Sequence, residues 1–251
     1  MAERGGAPAG GAADRELELR LLAATVDELE AALAHTVAVH RAHRQFLADA
    51  AHQLRTPLAA VQACAEALLR GAAGQEELSD SLLQEASRLT RLEADLRTLS
   101  RLGAGTVLRP AEIDLVALCR EEINRLWSLA PQLDVVLRAP ALSWNVVADD
   151  SAVREIVANL LDNARRHAHA RIDVAIQPGR ACVDVRVADD GPGVPEGMQD
   201  RIFERFVSLD GEGGSGLGLP IGRDLAHVLG GKLVHRDGAF VLCLPVSVEN
   251  I

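Results

Sequence analysis

The sequence predicts an α+β chain in which a helical hairpin precedes a mixed α/β domain. Three observations carry this. Apolar residues recur at heptad spacing through the first hundred positions. After Gly103–Pro110 the spacing changes to short strand-like runs between helices. A glycine-rich stretch, Gly211 to Gly218, then opens the last helix. The 251 residues allow one large domain or two small ones, and 48% apolar with 25% charged residues is an ordinary globular balance.

Residues 1–16 read as a flexible, Gly/Ala/Pro-rich start without the pattern of a signal peptide. From about Leu17 a helix begins whose seam runs through Leu22, Val26, Leu29 and Leu33 to Leu47, Ala50, Leu54 and Leu68, with a polar stretch at Thr36, His40 and His43. Gly71–Gly74 breaks it, and a second seam follows through Leu78, Leu82, Leu89, Leu92, Leu96 and Leu99. A two-helix hairpin has too few layers to bury both stripes, so residues 17–102 predict a homodimer built as a four-helix bundle. Residues 103–110 read as a linker and 111–251 as the second domain. There, helices are expected over Asp114–Leu129, Ser151–His167 (with Ser151 as N-cap) and Leu219–Leu229. Strands are expected over Asp134–Arg138, Arg171–Ile176, Ala181–Ala188, Lys232–His235 and Phe240–Pro245.

Composition excludes several functions. With four Phe, two Trp and no Tyr there is little to stack bases on, and a net charge of −10 disfavours phosphate-backbone binding. Cys64, Cys119, Cys182 and Cys243 lie far apart in sequence without a C-x-x-C pair, which signals neither zinc nor a disulfide framework, and they read as buried thiols in a reducing compartment. No apolar run long enough to span a bilayer occurs, so a cytoplasmic location is expected, including that of a cytoplasmic part of a longer membrane protein. His35, His40 and His43 have helical spacing but no carboxylate or thiol partner on their face, and read as a solvated or seam patch. Trp127 and Trp144 read as core or edge packing.

Four segments can carry chemistry. If Ala50 is a d position, His52 takes the f position and presents its imidazole to solvent, where it is either a plain surface histidine or a nucleophile with a near-neutral pKa. Pro57 removes the amide that would bond the Gln53 carbonyl and is expected to bend or loosen the helix. Asn159 and Asn163 stand one turn apart with Arg166 beside them, a set able to ligate a hard cation and answer phosphate charge. Asp189 ends a strand before Gly191 and Gly193, and Gly213–Gly218 opens a helix, as a simple turn or as an anion cradle.

In this order, the segments resemble the cytoplasmic core of the sensor histidine kinases. His52-Gln53-Leu54-Arg55-Thr56-Pro57-Leu58 is similar to the family's H box, Asn159 to Asn163 to its N box and Asp189-x-Gly191-x-Gly193 to its G1 box. Ile202–Phe206 is similar to the F box and Gly214–Leu219 to the G2 box, so the resemblance covers roughly residues 40–246. It implies a dimerisation and phosphoacceptor hairpin followed by an α/β sandwich ATP-binding domain of the Bergerat type. His52 would be phosphorylated by ATP and pass the phosphoryl group to an aspartate on a response regulator receiver domain. Asn163 and Asn159 would hold Mg²⁺, and Arg166, with His167 close by, would meet the phosphates. Asp189 would accept from the adenine amino group, with Gly191 and Gly193 giving the ring room. Phe206, Gly214, Gly216, Leu217 and Gly218 would border the nucleotide.

Two departures from the family pattern change expectations. Gln53 stands where an acidic residue usually follows the phosphoacceptor, which implies a slower autokinase; Thr56 matches the position that orients water for dephosphorylating the regulator. The lid between Phe206 and Gly214 is short and carries Asp210 and Glu212, leaving Arg205 as an additional phosphate contact. These departures support an alternative, an ATP-binding signalling scaffold acting mainly as a response-regulator phosphatase. A superfamily ATPase driving conformational change is a third reading, disfavoured by the exposed H box.

Overall fold

The computed structural model describes residues 10–71, 74–103, 105, 107–179, 181–207 and 214–245, with side chains from Val26 onward except at 35, 39, 42, 43 and 75. Its contacts separate two compact units, Met1–His52 and Gln53–Ile251.

Helix α1 (Gly10–Leu69) crosses that division. It begins at Gly10, ahead of Leu17, and continues past Pro57, which leaves out only its own amide bond. In the first unit much of the described apolar seam is bare: Leu29 and Leu33 are 69% and 65% exposed. A lone amphipathic helix leaves such a stripe without a partner. Helix α2 (Gln75–Gly103) follows a break at Gly71 and Gly74, both with positive φ, and its first turn carries Glu76 and Glu77, which suit the positive end of the helix dipole. The Cys64 thiol lies 3.7 Å from the Ser81 hydroxyl across the hairpin, and Leu92, Thr98 and Leu99 of α2 are buried.

Two aspartates begin the next helices. Asp114, at the end of β1 (Ala111–Asp114), accepts from the Val116 amide at 2.9 Å and caps α3 (Leu115–Leu129). The same oxygen accepts from the Trp144 amide at 3.0 Å, tying α3 to the start of β3 (Asn145–Ala148). Helix α4 (Asp150–His167) is capped by Asp149 and not by Ser151. Asp149 accepts from the Ala152 amide at 3.0 Å, and the Ser151 hydroxyl donates to it at 2.6 Å; Ser151 therefore sits inside the helix and serves the cap. The second oxygen of Asp149 takes the Arg109 amide at 2.8 Å, which docks the chain leaving α2 onto the domain. A carboxylate can accept all these bonds at once, which a serine hydroxyl cannot.

Strands β1 and β3 form a small antiparallel pair that the sequence pattern does not foretell. The main sheet contains β2 (Asp134–Arg138), β4 (Arg171–Pro178), β5 (Cys182–Asp189), β6 (Lys232–Arg236) and β7 (Ala239–Pro245) in the order β2-β4-β5-β7-β6. Only β2 and β4 are parallel. Alternation places Ile172, Val174, Ile176, Val183, Val185 and Val187 in the core and charged residues on the opposite face. α3, α4 and α5 (Gly218–Val228) supply the rest of the core through Cys119, Ile156, Leu160 and Ile221. Glu122 is buried between α3 and α4 but paired, with Arg154 at 2.8 Å and Arg125 at 3.2 Å. The expected helical hairpin and α/β sandwich are thus both present.

Candidate nucleotide site and phosphoacceptor helix

In the second unit a cavity of about 300 Å³ opens between α4, the end of β5 and the start of α5. Asn163, Arg166 and His167 line it from α4, Asp189 and Gly193 from the β5 end, and Gly216 and Gly218 from the start of α5. Residues far apart in sequence therefore meet as the motif reading expects. Asn159 and Gly214 lie in a larger adjoining groove of about 960 Å³ between α2, α3 and α4, which shares Asn163, Arg166 and Gly218 with the cavity.

Each side chain is held by its neighbours. Arg166 bonds the Asp162 carbonyl one turn back at 3.3 Å and pairs with the Asp162 carboxylate at 3.3 Å. Burial alone would raise the Asp162 carboxyl, but Arg166, Arg165 and Arg91 outweigh it and keep it below the usual carboxylate range. The Arg166 guanidinium lies directly over Gly214, where a Cβ would collide with it. The Asn159 amide nitrogen is buried and has no hydrogen-bond partner, beside Gly218, whose missing Cβ leaves 3.5 Å to that amide. The orphaned Asn159 amide nitrogen is a donor and suits a phosphate or water oxygen, while the side-chain oxygens of Asn159 and Asn163 suit a hydrated Mg²⁺ carried on phosphates, since that ion keeps several waters and takes few protein ligands. Asn159 and Asn163 are the residues that would hold it.

Asp189 accepts the Gly191 amide at 3.0 Å. The neighbouring Asp190 turns the other way and accepts the His169 and Ala170 amides at 2.8 and 3.1 Å; these backbone donors, Ala170 foremost, hold its carboxyl below the ordinary range. Asp190 thereby fixes the loop from which Asp189 points into the cavity.

Four motif residues expected at the nucleotide, Gly191, Leu217, Phe206 and Arg205, line neither the cavity nor the adjoining groove. Gly191 does not line the cavity; a Cβ there would collide with the His167 carbonyl and approach the Asp189 carboxylate at 2.7 Å, so the protein's own backbone demands glycine. Leu217 is fully buried and contributes core packing, while its amide donates to the Ser215 hydroxyl at 3.2 Å. Phe206 lies outside the lining and adopts φ of 63°. Its amide donates to the Gly216 carbonyl at 2.8 Å, and a Cβ on Gly216 would sit 2.7 Å from the Phe206 backbone. Phe206 and Gly216 therefore pinch together the two ends of the lid, whose residues 208–213 lie outside the described residues. Arg205 pairs with Asp224 of α5 at 3.1 Å and is not in the cavity lining.

The opposite wall comes from Ile202 of the F box and from three residues that no motif marks, His235, Gly238 and Phe240. His235 packs edge-on against Phe240 at 5.0 Å, and burial pushes its pKa down, with Asp189 opposing. The period-two alternation of β6 and β7 was the available signal, since it puts both on the inner face.

On α1, Ala50 is buried and His52 exposed, consistent with d and f positions; Thr56 is exposed and Gln53 half-buried.

Residues 42–105 match the family described as His Kinase A (phospho-acceptor) domain, and residues 148–247 that described as Histidine kinase-, DNA gyrase B-, and HSP90-like ATPase. The sensor histidine kinase TrcS of Mycobacterium tuberculosis is 32% identical over 245 residues, covering 90% of this chain and 48% of TrcS. The chain belongs to the sensor histidine kinases. It spans about half the length of the curated relatives it matches. Among solved structures, the histidine kinase AdeS of Acinetobacter baumannii aligns with a TM-score of 0.63 at 25% identity, over 79% of this sensor kinase chain and 98% of AdeS. Histidine kinase ThkA, solved in complex with response regulator protein TrrA, shares the fold with a TM-score of 0.64 at 22% identity, over 82% of this chain and 63% of that one. No helix among this sensor kinase's described residues is long and apolar enough to cross a membrane.

Proposed function

We propose that the chain is the catalytic core of an ATP-dependent protein-histidine kinase: His52 takes the γ-phosphoryl group of ATP and passes it to an aspartate of a response regulator. The observation that carries this is the convergence of Asn163, Arg166, Asp189 and Gly216 on one cavity in a chain that also presents His52 to solvent. Phosphoryl transfer requires in-line positioning and charge neutralisation. Asp189 receives the adenine amino group and so orients the base. Arg166, pre-positioned by Asp162, meets phosphate charge, and the first turn of α5 offers unbonded amides and the positive end of its dipole. Mg²⁺ would supply charge neutralisation at the phosphates, and the side-chain oxygens of Asn159 and Asn163 would hold it. The imidazole of His52 attacks the γ-phosphorus through one nitrogen, the bond from that phosphorus to the β,γ-bridging oxygen breaks, ADP leaves, and the other ring nitrogen gives up its proton. The Gln53 amide orients the ring but cannot neutralise the charge that develops on it as a carboxylate would.

The bare seam of α1 supports a homodimer, since a second copy would cover Leu29 and Leu33. The ThkA–TrrA complex supports a receiver domain as partner. Thr56, exposed one turn beyond His52, supports phosphatase activity toward that partner. A cytoplasmic location follows from the ATP substrate.

The test is incubation with γ-labelled ATP and Mg²⁺, comparing the chain with His52→Ala. Acid-labile label that disappears in the variant is the expected result. Nucleotide binding without label overturns the kinase reading in favour of the scaffold and phosphatase reading, which Gln53 favours.

A further inference from the structure

The fold joins two of the cysteines that the sequence separates by some sixty positions. Asp184 of β5 stands directly across from Cys243 of β7 in the antiparallel register. Cys182, two residues before Asp184 on the same strand, presents its side chain on the same face. The two thiol sulfurs and a carboxylate oxygen lie within 4.8 Å of one another, all half-buried on the sheet face opposite the helices, far from the motif residues in the cavity lining.

We propose that Cys182, Asp184 and Cys243 form a binding site for a single thiophilic dication of the zinc class, clipping β5 to β7. Soft sulfur donors with one carboxylate oxygen are a set that Zn²⁺ accepts in tetrahedral geometry, and a water completes the fourth position. The surroundings are those of a ligand set with support behind it. The Cys182 thiol lies 3.7 Å from Oδ1 of Asp184, while Oδ2 is held by Arg236 of β6. The guanidinium thus orients the carboxylate from behind and leaves Oδ1 turned to the sulfurs, as outer partners do at metal sites. Two thiolates and a carboxylate around a dication leave a net negative charge, which Arg236 and Lys232, opposite Cys243 in the register, offset. A cysteine ligates such an ion as its thiolate and gives up its proton on binding. Binding therefore forms two metal–sulfur bonds and releases both thiol protons to solvent, with no change of oxidation state. Cys64, also half-buried, lies apart on α1, and Cys119 is buried in α3, its thiol pushed up to about 12 chiefly by burial.

The test uses the reduced, metal-free chain with Zn²⁺ or Cd²⁺ alone. With Zn²⁺ at ten times its dissociation constant, alkylation of Cys182 and Cys243 should slow about tenfold, as the free fraction falls, while Cys64 reacts as before. Cd²⁺ should bind one per chain with a thiolate charge-transfer absorption that Cys64→Ser keeps and Cys182→Ser or Cys243→Ser loses. Unchanged alkylation of both thiols in the unmutated chain, or absorption that survives in both variants, overturns the proposal. The alkylation arm needs no variant to fold.

Discussion

The Ser215 hydroxyl donates to the Asp95 carboxylate at 2.6 Å, joining the glycine-rich stretch before α5 to α2. Asp95 is half-buried, and burial, with Glu155 and Asp162 nearby, raises its carboxyl above the usual range despite the serine hydrogen bond. A raised carboxylate contributes stability that is fully present below its unfolded value and is lost as pH rises through the folded one. Asp95→Asn keeps an acceptor for Ser215 without the charge. It should raise the melting temperature at pH 7 by about 2–4 °C, on the order of 1 kcal/mol, with the advantage closing as the pH falls below the ordinary Asp value. Thermal melts of both proteins across pH check this; an advantage that does not change with pH would count against it.

Gly191 has no room for a methyl group because the His167 carbonyl occupies the space. Gly191→Ala must displace the end of α4 or the Asp189 loop, a strain of about 1–3 kcal/mol, and move Asp189 off the adenine position. Binding of a fluorescent ATP analogue should fall at least tenfold, whereas Gly193→Ala, where φ is 72° but a Cβ meets nothing, should lose backbone stability with a smaller effect on binding.

His235 has a depressed pKa because it is partly buried against Phe240, the Asp189 charge only opposing this. A group that avoids protonation in the folded state contributes stability present above its unfolded value of 6.5 and lost as pH falls through the folded value. Chemical denaturation below pH 6.5 should show that loss in the unmutated chain and a flatter dependence in His235→Gln.

Gln53→Glu restores a carboxylate beside the phosphoacceptor. Initial autophosphorylation rates at saturating ATP should rise several-fold, in line with the 10²–10⁴-fold range of general acid–base effects of which Gln53 already supplies part. An unchanged rate would mean that Gln53 does not limit the step.

The motifs made much of the site legible. Asn159, Asn163, Asp189 and the glycines before α5 could be read off because each sits at an element boundary or on one helix face, where local spacing settles orientation. Ser151 was misread because a cap is decided by which side chain reaches the free amides, and the buried Asp149 also had the Arg109 amide to satisfy. Gly191 was read as giving the adenine ring room; the structure adds a neighbour from another element, the His167 carbonyl, which leaves no space for a Cβ there.

By itself, the sequence determined the helical hairpin, the α/β domain that follows and the motif residues Asn163, Arg166, Asp189 and Gly216 that line one cavity, because heptad spacing, strand alternation and short motifs are set by contacts within a few residues of one another. The tertiary structure alone decided the rest. It placed His235 and Phe240 in the cavity wall, hung Ser215 on Asp95, and brought Cys182 and Cys243 together around Asp184. These pairings depend on strand register and helix docking, which are fixed by burial of the whole core; alternation along β6 and β7 sets only which face His235 and Phe240 take, not what they meet.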